Sequence, residues 1–272
     1  MQHANKRRSQ ATRPVRGGRA KGRARRRRLS TLFAVVAVGL AGAVAVSHTS
    51  NGTSDAARDA TPGAAPGAAA DTAAGPTASS RPDPGPQKGD GVFSTATVSG
   101  SAVGSGKVRR YKVQVERGTG VSADSAAREI ERILGDPRGW TADRRDAFQL
   151  VSSGSYDFVV KIASPATVDA ICGAAGLHTH GEVNCDVGAQ VVVNLKRWNT
   201  GSPEFPGPVG EYRALIINHE VGHRIGHGHE GCPGPGRPAP AMMQQIDGLH
   251  GCVANAWPYD SRGRYLGGPH VP

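Results

Sequence analysis

The chain has 272 residues, enough for one or two domains, and a formal net charge of +11. The charge is concentrated at one end: residues 1–28 hold twelve of the 33 Lys and Arg and no acid, so the remaining 244 residues carry 21 bases against 22 acids. A basic tail joined to a nearly neutral remainder argues against a protein that binds nucleic acid over its whole surface.

An apolar run directly follows the basic tail. Residues 29–46 contain no charged side chain, and their number is near the lower limit of roughly 17–25 residues for a spanning helix. We predict a transmembrane signal-anchor over residues 29–47, with residues 1–28 as its cytoplasmic tail by the positive-inside rule. The alternative is a cleaved signal peptide, because Ala43-Val44-Ala45 resembles an A-x-A cleavage site. In both cases we expect the rest of the chain outside the cytoplasm, either anchored to the cell membrane by a single span or secreted.

We interpret the basic tail mainly as a signal that fixes the orientation of the membrane segment. If it has a partner, anionic lipid headgroups are the nearest one, because the predicted span begins where the tail ends. An Arg-rich arm can also bind nucleic acid, but we do not expect nucleic acid as a partner of this chain.

Residues 48–90 consist almost entirely of Ala, Gly, Pro, Ser, Thr and Asp. Such a stretch has no large apolar side chains whose burial could offset the entropy lost on folding. We therefore predict a disordered linker that holds the next domain away from the membrane. From Gly91 the composition becomes globular, and we assign residues 91–272 to one extracytoplasmic domain.

The globular part follows an α+β layout with one main sheet. The stretch "KVRRYKVQVE" (107–116) alternates like a strand, and "SADSAAREIERILGD" (122–136) has one apolar helical face, with Ser122 or Asp124 as the N-cap. Further along we predict strands at 146–152, 156–163 and 189–198, a short helix or turn near 164–172, and a buried helix at 210–226. After Gly226 the chain is rich in Gly, Pro and Cys and has little periodic structure.

Four cysteines lie beyond the predicted membrane segment: Cys172, Cys185, Cys232 and Cys252. An even number of cysteines in an exported domain predicts two disulfides. The absence of a Cys-x-x-Cys pair from the sequence argues against a structural zinc ribbon. Three connectivities are open, and the pairing Cys172–Cys185 and Cys232–Cys252, which closes the shortest loops, is the one we predict.

The stretch "HEVGHRIGHGH" (219–229) holds four of the ten histidines of the chain. Residues four apart in a helix share a face, so His219 and His223 can hold one ion, while Glu220 can reach a water on that ion without binding it. On a continued helix, His229 would lie about 9 Å farther along the axis than His223. Gly226 allows the chain to turn back, because glycine readily adopts positive φ at the end of a helix.

The full pattern H-E-x-x-H-x-x-G-x-x-H therefore predicts a zinc site formed by His219, His223 and His229. Zinc held by imidazoles keeps one position open for water and lowers the pKa of that water toward ~7. Glu220 is the expected general base, which takes the proton and later passes it to a leaving amine.

With these positions the chain resembles the metzincin zinc peptidases. The resemblance implies a mixed sheet with an active-site helix, a small irregular C-terminal subdomain, and a methionine turn beneath the metal. The stretch "PAMMQQ" (240–245) lies where that turn belongs, and Met243 matches the turn methionine, whereas Met242 is expected to serve in packing. The resemblance also implies that strand 189–198 lies at or next to the sheet edge that pairs with extended substrate.

Some metzincins carry a tyrosine two residues after the turn methionine, where it helps to bind the transition state. This chain has Gln245 at that position. Tyr259 or Tyr265 could replace the tyrosine, Gln245 could donate the hydrogen bond itself, or this aid could be missing.

The chain also resembles one uncharacterised family in the stretches "DPRGW" (136–140), "VVVNLKRW" (191–198) and "NHEVGHRIGHGHEGCPGPGRPAPAMMQQIDGLHGCVANAWP" (218–258). This family is a domain of unknown function from membrane-anchored proteins of high-GC Gram-positive bacteria that are predicted zinc peptidases. This resemblance covers about residues 91–260 and implies no particular substrate.

The sequence thus predicts an extracytoplasmic zinc metalloendopeptidase that acts on a peptide or protein substrate and is attached to the membrane by its N-terminal helix. Three alternatives stay open: a non-catalytic zinc-binding protein of the cell surface, a zinc hydrolase acting on a non-peptide or cell-wall amide, and a nucleic-acid or membrane-surface binder in which the basic tail is the functional part. We expect no direct function for the other histidines: His227 should face solvent or contact the metal ligands without binding the ion, and His178, His180 and His250 should be exposed. Trp198 and Trp257 are expected in the core rather than in a substrate groove.

Overall fold

One long strand, Lys107–Glu116, organises the fold of residues 82–271, which are the residues that the computed structural model describes. In chain order the strands are β1 Phe93–Thr95, β2 Val103–Gly104, β3 Lys107–Glu116, β4 Asp146–Leu150, β5 Phe158–Ala163, β6 Cys185–Val187 and β7 Gln190–Asn194. The helices are α1 Ala123–Leu134, α2 Pro165–Gly173, α3 Leu195–Thr200 and α4 Val209–Ile225, with short 3-10 turns at Trp140–Asp143 and Gln245–Asp247.

The strands form one mixed sheet in the order β2-β4-β3-β5-β7-β6, and β1 pairs with the C-terminal half of β3. The central pairs β3–β4, β3–β5 and β5–β7 are parallel, whereas β1, β2 and β6 are added antiparallel. Parallel strands are covered on both faces, which explains the nearly continuous apolar runs in β5 and β7. The predicted mixed sheet with few helices is confirmed.

The two faces of the sheet are packed by different elements. Val191 and Val193 of β7 belong to the main core with the apolar side chains of α1 and α4. Val192, between them, points to the opposite face and packs with Val168 of α2. This follows from the alternation of side chains along a strand, and it places α4, the helix that carries the histidine motif, against one face of β7.

One predicted element agrees with the observed one at its start, and another differs from it. α1 begins after Ser122, whose side chain accepts a hydrogen bond from Ser125 N–H, as predicted for an N-cap. The predicted strand 189–198 is shorter than expected, because β7 ends at Asn194 and the following residues form α3. The Asn194 side chain accepts a hydrogen bond from Lys196 N–H at 3.0 Å and thereby caps α3.

The predictions for residues 1–28, 29–47 and most of the linker lie outside the described residues. Between residues 82 and 271, no helix has the length and apolar character needed to cross a membrane. The end of the predicted linker contacts the domain: Gly89 N–H donates to Ser164 Oγ at 2.8 Å, and the Gln87 carbonyl accepts from Ala166 N–H at 3.0 Å. The packed chain therefore begins before Gly91.

Glu116, at the end of β3, binds the segment before β1 to the domain. Its Oε1 accepts from Gly91 N–H at 2.8 Å and from the Thr167 hydroxyl at 2.7 Å, and its Oε2 accepts from Ser164 N–H at 2.7 Å. Burial alone would raise the pKa of Glu116, but these hydrogen bonds outweigh it and lower the pKa from the ordinary value of 4.5. The ionised carboxylate thus connects β3, the start of α2 and the segment before β1.

Replacing Glu116 by Gln is expected to lower the free energy of unfolding by about 1–3 kcal/mol at neutral pH, because three donors lose an ionised acceptor. Since the pKa is lowered by folding, this stabilisation is present above 4.5 and is lost as the pH falls through the lowered value. Urea unfolding at neutral pH and near pH 3 measures the change. The control is Glu204→Gln, whose side chain is exposed. A Glu116→Gln effect of equal size at both pH values would contradict a role for the charge.

Candidate metal centre

Helix α4 positions the first two histidines of the motif. His219 and His223 lie one turn apart on the face of α4 that borders a cavity. The helix ends at Ile225, where Gly226 adopts φ +105°, and its N–H reaches back to the carbonyls of Gly222 and His223. This left-handed residue turns the chain, so that the following loop brings His229 to the same place.

The side chains of His219, His223 and His229 converge at one point. His223 Nε2 lies 3.2 Å from His219 Nε2 and 3.1 Å from His229 Nε2, and the three potential ligand atoms all lie within 4.8 Å of one another. Two nitrogens bound to one tetrahedral zinc at about 2.0–2.1 Å are about 3.3 Å apart. The two short separations are therefore the ones that a shared zinc ion requires.

Backbone carbonyls fix the orientation of two of these rings. His219 Nδ1 lies 2.9 Å from the Ala241 carbonyl oxygen, and His223 Nδ1 lies 2.9 Å from the His227 carbonyl oxygen. A carbonyl oxygen only accepts, so each Nδ1 carries the hydrogen and each neutral ring presents an Nε2 lone pair. Two such lone pairs facing each other repel, and a cation between them would remove the repulsion.

The surroundings favour the neutral forms of His219 and His223. Burial, together with the nearby His223 and His229, lowers the pKa of His219 to about 3. Burial also lowers the pKa of His223. Neutral imidazoles are the form that binds a metal ion, so His219 and His223 are chemically suited to that role at neutral pH.

Glu220 lies beside the trio in the cavity wall and is almost completely buried. Burial, reinforced by the negative charge of Asp186, raises its pKa to about 8. Asp186 is in β6, and Arg224 of α4 lies 3.4 Å from its Oδ1. Burial raises the pKa of Asp186 as well, although Arg224 opposes that shift. Two carboxyl groups of high proton affinity therefore line the same cavity as the histidines.

The cavity has a volume of about 470 Å³, within the range of small-molecule and substrate sites. One side is formed by the loop and strand 177–186, the opposite side by α4, and the third by the turn 243–246. Leu215 and Ile216 supply apolar surface from α4. The histidines thus lie in a recess with room for a bound molecule.

The turn 240–245, which follows His229 in the chain, contacts the histidine site. The Ala241 carbonyl binds His219, Met242 is fully buried against Gly222 of α4, and Met243 lines the cavity. The expected turn methionine, Met243, therefore borders the site, and its neighbour Met242 serves in packing, as expected.

Two of the three residues considered as replacements for the transition-state tyrosine have their hydrogen-bond donors engaged elsewhere. The Gln245 amide donates to the carbonyls of Pro240 and Asn255, and the Tyr265 hydroxyl donates to Glu230. Tyr259 is buried at the edge of Trp140. Gln245 lines the cavity, but its side-chain amide holds the turn together.

Both predicted disulfides, Cys172–Cys185 and Cys232–Cys252, are confirmed. The first closes the loop that forms one wall of the cavity. The second joins the segment after His229 to the segment after Met243, so the third histidine and the turn are held in one unit.

The remaining histidines and tryptophans match their expected surroundings in part. His178, His180 and His250 are exposed, and Trp198 and Trp257 are buried in the core. His227 is only half-buried, yet its ring stacks on Trp140 with centroids 4.2 Å apart.

Sequence reasoning missed the function of Trp140 in holding the site. Its Nε1 donates at 2.8 Å to the carbonyl of Asn218, the residue before His219, although the two lie 78 positions apart in the chain. Asp186 and Glu230 were missed for the same reason, since neither belongs to a local pattern.

The family model described as "Protein of unknown function (DUF3152)" matches residues 81–252. No curated protein and no solved structure matches the chain.

Close packing at Gly222 generates a prediction about the site. A Cβ at this position would lie 2.3 Å from Met242 Sδ and 2.9 Å from the Trp140 ring. Gly222→Ala is therefore expected to lower the free energy of unfolding by roughly 1–3 kcal/mol. Gly210→Ala in the same helix is the matched control, because no atom lies within 4 Å of its added Cβ. We expect it to cause no loss, with a gain of up to about 1 kcal/mol. Urea unfolding compares the two, and equal stabilities would contradict the tight packing of α4 on the turn.

Proposed function

This chain belongs to the DUF3152 family, described as proteins of unknown function, and we propose that it is an extracytoplasmic zinc-dependent peptidase. The observation that carries the proposal is the convergence of three imidazole nitrogens beside a buried carboxyl group, Glu220, on the wall of one cavity. A site that serves only for folding needs ligands, but it has no need for an additional carboxyl group at its open side.

His219, His223 and His229 would hold the zinc ion, and the spacing of their Nε2 atoms fits that ion. Bound zinc supplies a polarised water whose pKa is lowered toward ~7. Hydrogen bonds from two of the rings to backbone carbonyls keep the ligand nitrogens aimed at the common point, a device that typically raises metal affinity 10–100-fold.

Glu220 is the proposed general base. A zinc ion held by the histidines would favour the ionised form of Glu220. From its place in the cavity wall this carboxylate would accept a proton from the attacking water and return it to the nitrogen of the leaving amine. The neighbouring Asp186 makes the site more negative, which increases the affinity of Glu220 for the proton it has to carry.

A peptide is the substrate that suits the cavity best. Cys185 and Asp186 of β6 line the cavity, and β6 is the end strand of the sheet order. Among the described strands none pairs with the outer side of β6, so its main-chain groups are open to an extended chain. β7, the "VVVNL" strand, is next to this edge. The arrangement supports the metzincin resemblance.

The chain departs from the metzincin pattern in its hydrogen-bond donors. Since Gln245 and Tyr265 are engaged elsewhere, a substrate carbonyl has to be bound by other groups. His178, Asn184 and Gln244 are the side chains on the cavity wall that carry N–H donors for this purpose.

The place of action follows from the N-terminal sequence and the disulfides. The basic tail, the apolar run and the linker are those of a domain anchored outside the cytoplasm. Two disulfides suit an oxidising compartment. We therefore propose a membrane-attached enzyme whose peptide or protein substrate is extracytoplasmic.

The proposal is tested on the purified full-length chain by metal analysis and by cleavage of casein and a peptide library. We expect about one zinc per chain in wild type and in Glu220→Ala. The activity of Glu220→Ala should fall by about 10²–10⁴-fold or more, because the general base is removed while the ligands remain. Replacing His219, His223 or His229 by Ala should abolish both zinc binding and activity. His250→Ala, in an exposed histidine, is the control.

Each other outcome has a definite meaning. If wild type and Glu220→Ala both hold zinc and neither cleaves a peptide, the chain is a non-catalytic zinc protein or acts on a non-peptide amide. Cleavage of cell-wall fragments by wild type alone would select the latter. A folded wild-type protein without affinity for zinc would refute the proposal as a whole.

A further inference from the structure

The segment 265–271, here called the strap, runs antiparallel to the residues around the third histidine. Val271 N–H donates to the His229 carbonyl at 3.1 Å, and Gly231 N–H donates to the Pro269 carbonyl at 2.7 Å. An isolated antiparallel bridge joins Glu230 to His270 between these two bonds. The backbone on both sides of Glu230 is therefore bound by the strap.

The side chain of Glu230 provides a second connection to the same segment. Glu230 is 6% exposed; its Oε1 accepts from the Tyr265 hydroxyl at 2.9 Å, and its Oε2 accepts from Gly268 N–H at 3.0 Å. Glycine is needed at position 268, because a Cβ there would lie 1.9 Å from the Gly231 carbonyl oxygen. The strap thus lies directly on the chain beside His229.

Glu230 is also bound to the turn 240–245. Glu230 N–H donates to the Met242 carbonyl at 3.1 Å. His229 is consequently followed by a residue that is held from two directions, by the turn and by the strap. The two other histidines are held by α4 and by the carbonyls of Ala241 and His227.

We infer that the strap positions His229 for metal binding, and that Glu230 is the positioning residue through which it acts. His229 lies beyond the helix end, in a loop that contains Gly226 and Gly228, and a glycine-containing loop loses much conformational freedom when it is fixed. The strap fixes that loop before a metal ion arrives, so the ion binds three prearranged nitrogens. This inference rests on the proposed function only where it concerns the metal.

The strap lies outside the part of the chain that the family model covers, since the match ends at residue 252. The histidines, Glu230 and the turn are inside the match, whereas Tyr265 and Gly268 are outside it. The ordering of the third histidine therefore depends on residues that the family description does not include.

The first test needs no metal. Amide hydrogen exchange is measured by NMR on the metal-free full-length chain for wild type, Tyr265→Phe and Glu230→Gln. Tyr156→Phe is the matched control, because it removes a tyrosine hydroxyl from a side chain that is 49% exposed and lies under the Lys112 ammonium. In Tyr265→Phe and Glu230→Gln we expect exchange of the Gly231 amide to accelerate at least about tenfold, while exchange of the Val221 amide in α4 changes less than about twofold.

The second test measures zinc affinity by competition with a chromophoric chelator. Glu230→Ala should raise the Kd by about 10–100-fold, with smaller increases for Glu230→Gln and Tyr265→Phe and none for Tyr156→Phe. A purely structural role would lower stability but leave the Kd of the folded protein unchanged. The visible spectrum of bound Co²⁺ checks whether the ligand set is retained, which we expect.

The strap inference is overturned if Tyr265→Phe and Glu230→Gln fold normally and exchange Gly231 as slowly as Tyr156→Phe does. It is also overturned if exchange accelerates but the zinc Kd of these variants stays within about twofold of wild type. If wild type binds no zinc, the proposed function fails, and the exchange data alone then decide whether the strap orders His229.

Discussion

An α-helix can present only two histidines to a single ion from one of its faces, and that limit shapes the second half of this fold. Residues at i and i+4 share a face, but a third ligand on the same helix would be displaced along the axis. The chain meets this limit by ending α4 at Ile225 and turning at Gly226 with φ +105°. The rest of the domain must then hold the loop after Gly226 in place, because His229 no longer belongs to the helix.

Two segments, the turn and Trp140, supply that support through four contacts. The turn binds His219 through the Ala241 carbonyl and packs Met242 against Gly222. Trp140, from the other half of the domain, donates to the Asn218 carbonyl and stacks on His227. Because each contact joins segments far apart in sequence, the geometry of the histidines depends on the tertiary fold and not on the motif alone.

The buried surroundings also set the chemistry of the site. Burial favours the neutral forms of His219 and Glu220, which lowers the pKa of His219 and raises that of Glu220. An uncharged cluster is easier to keep inside a protein than a charged one. The same arrangement leaves imidazole lone pairs that face each other, which favours a cation at the centre, and such a cation would in turn favour the ionised form of Glu220.

Patterns of short range predicted several elements of the fold and both disulfides. The alternation in 107–116 gave the bounds of β3, Ser122 marked the start of α1, and the spacing of the two cysteine pairs predicted both disulfides. The prediction of a strand over residues 189–198 was wrong after Asn194. Apolar residues continue into α3, and only the capping side chain of Asn194 separates the two elements. Hydrophobic pattern alone does not distinguish a buried strand from a short buried helix.

The contacts that sequence could not predict are those between distant segments. Asp186 reaches the neighbourhood of Glu220 only because β6 pairs with β7, and Tyr265 reaches Glu230 only because the chain returns past His229. Neither pair has a spacing that a motif could record. The motif therefore identifies the groups that would bind metal and move a proton, whereas the long-range contacts determine how rigidly those groups are held. In a site whose third ligand comes from a loop, rigidity decides whether three histidines form one centre or merely lie near each other.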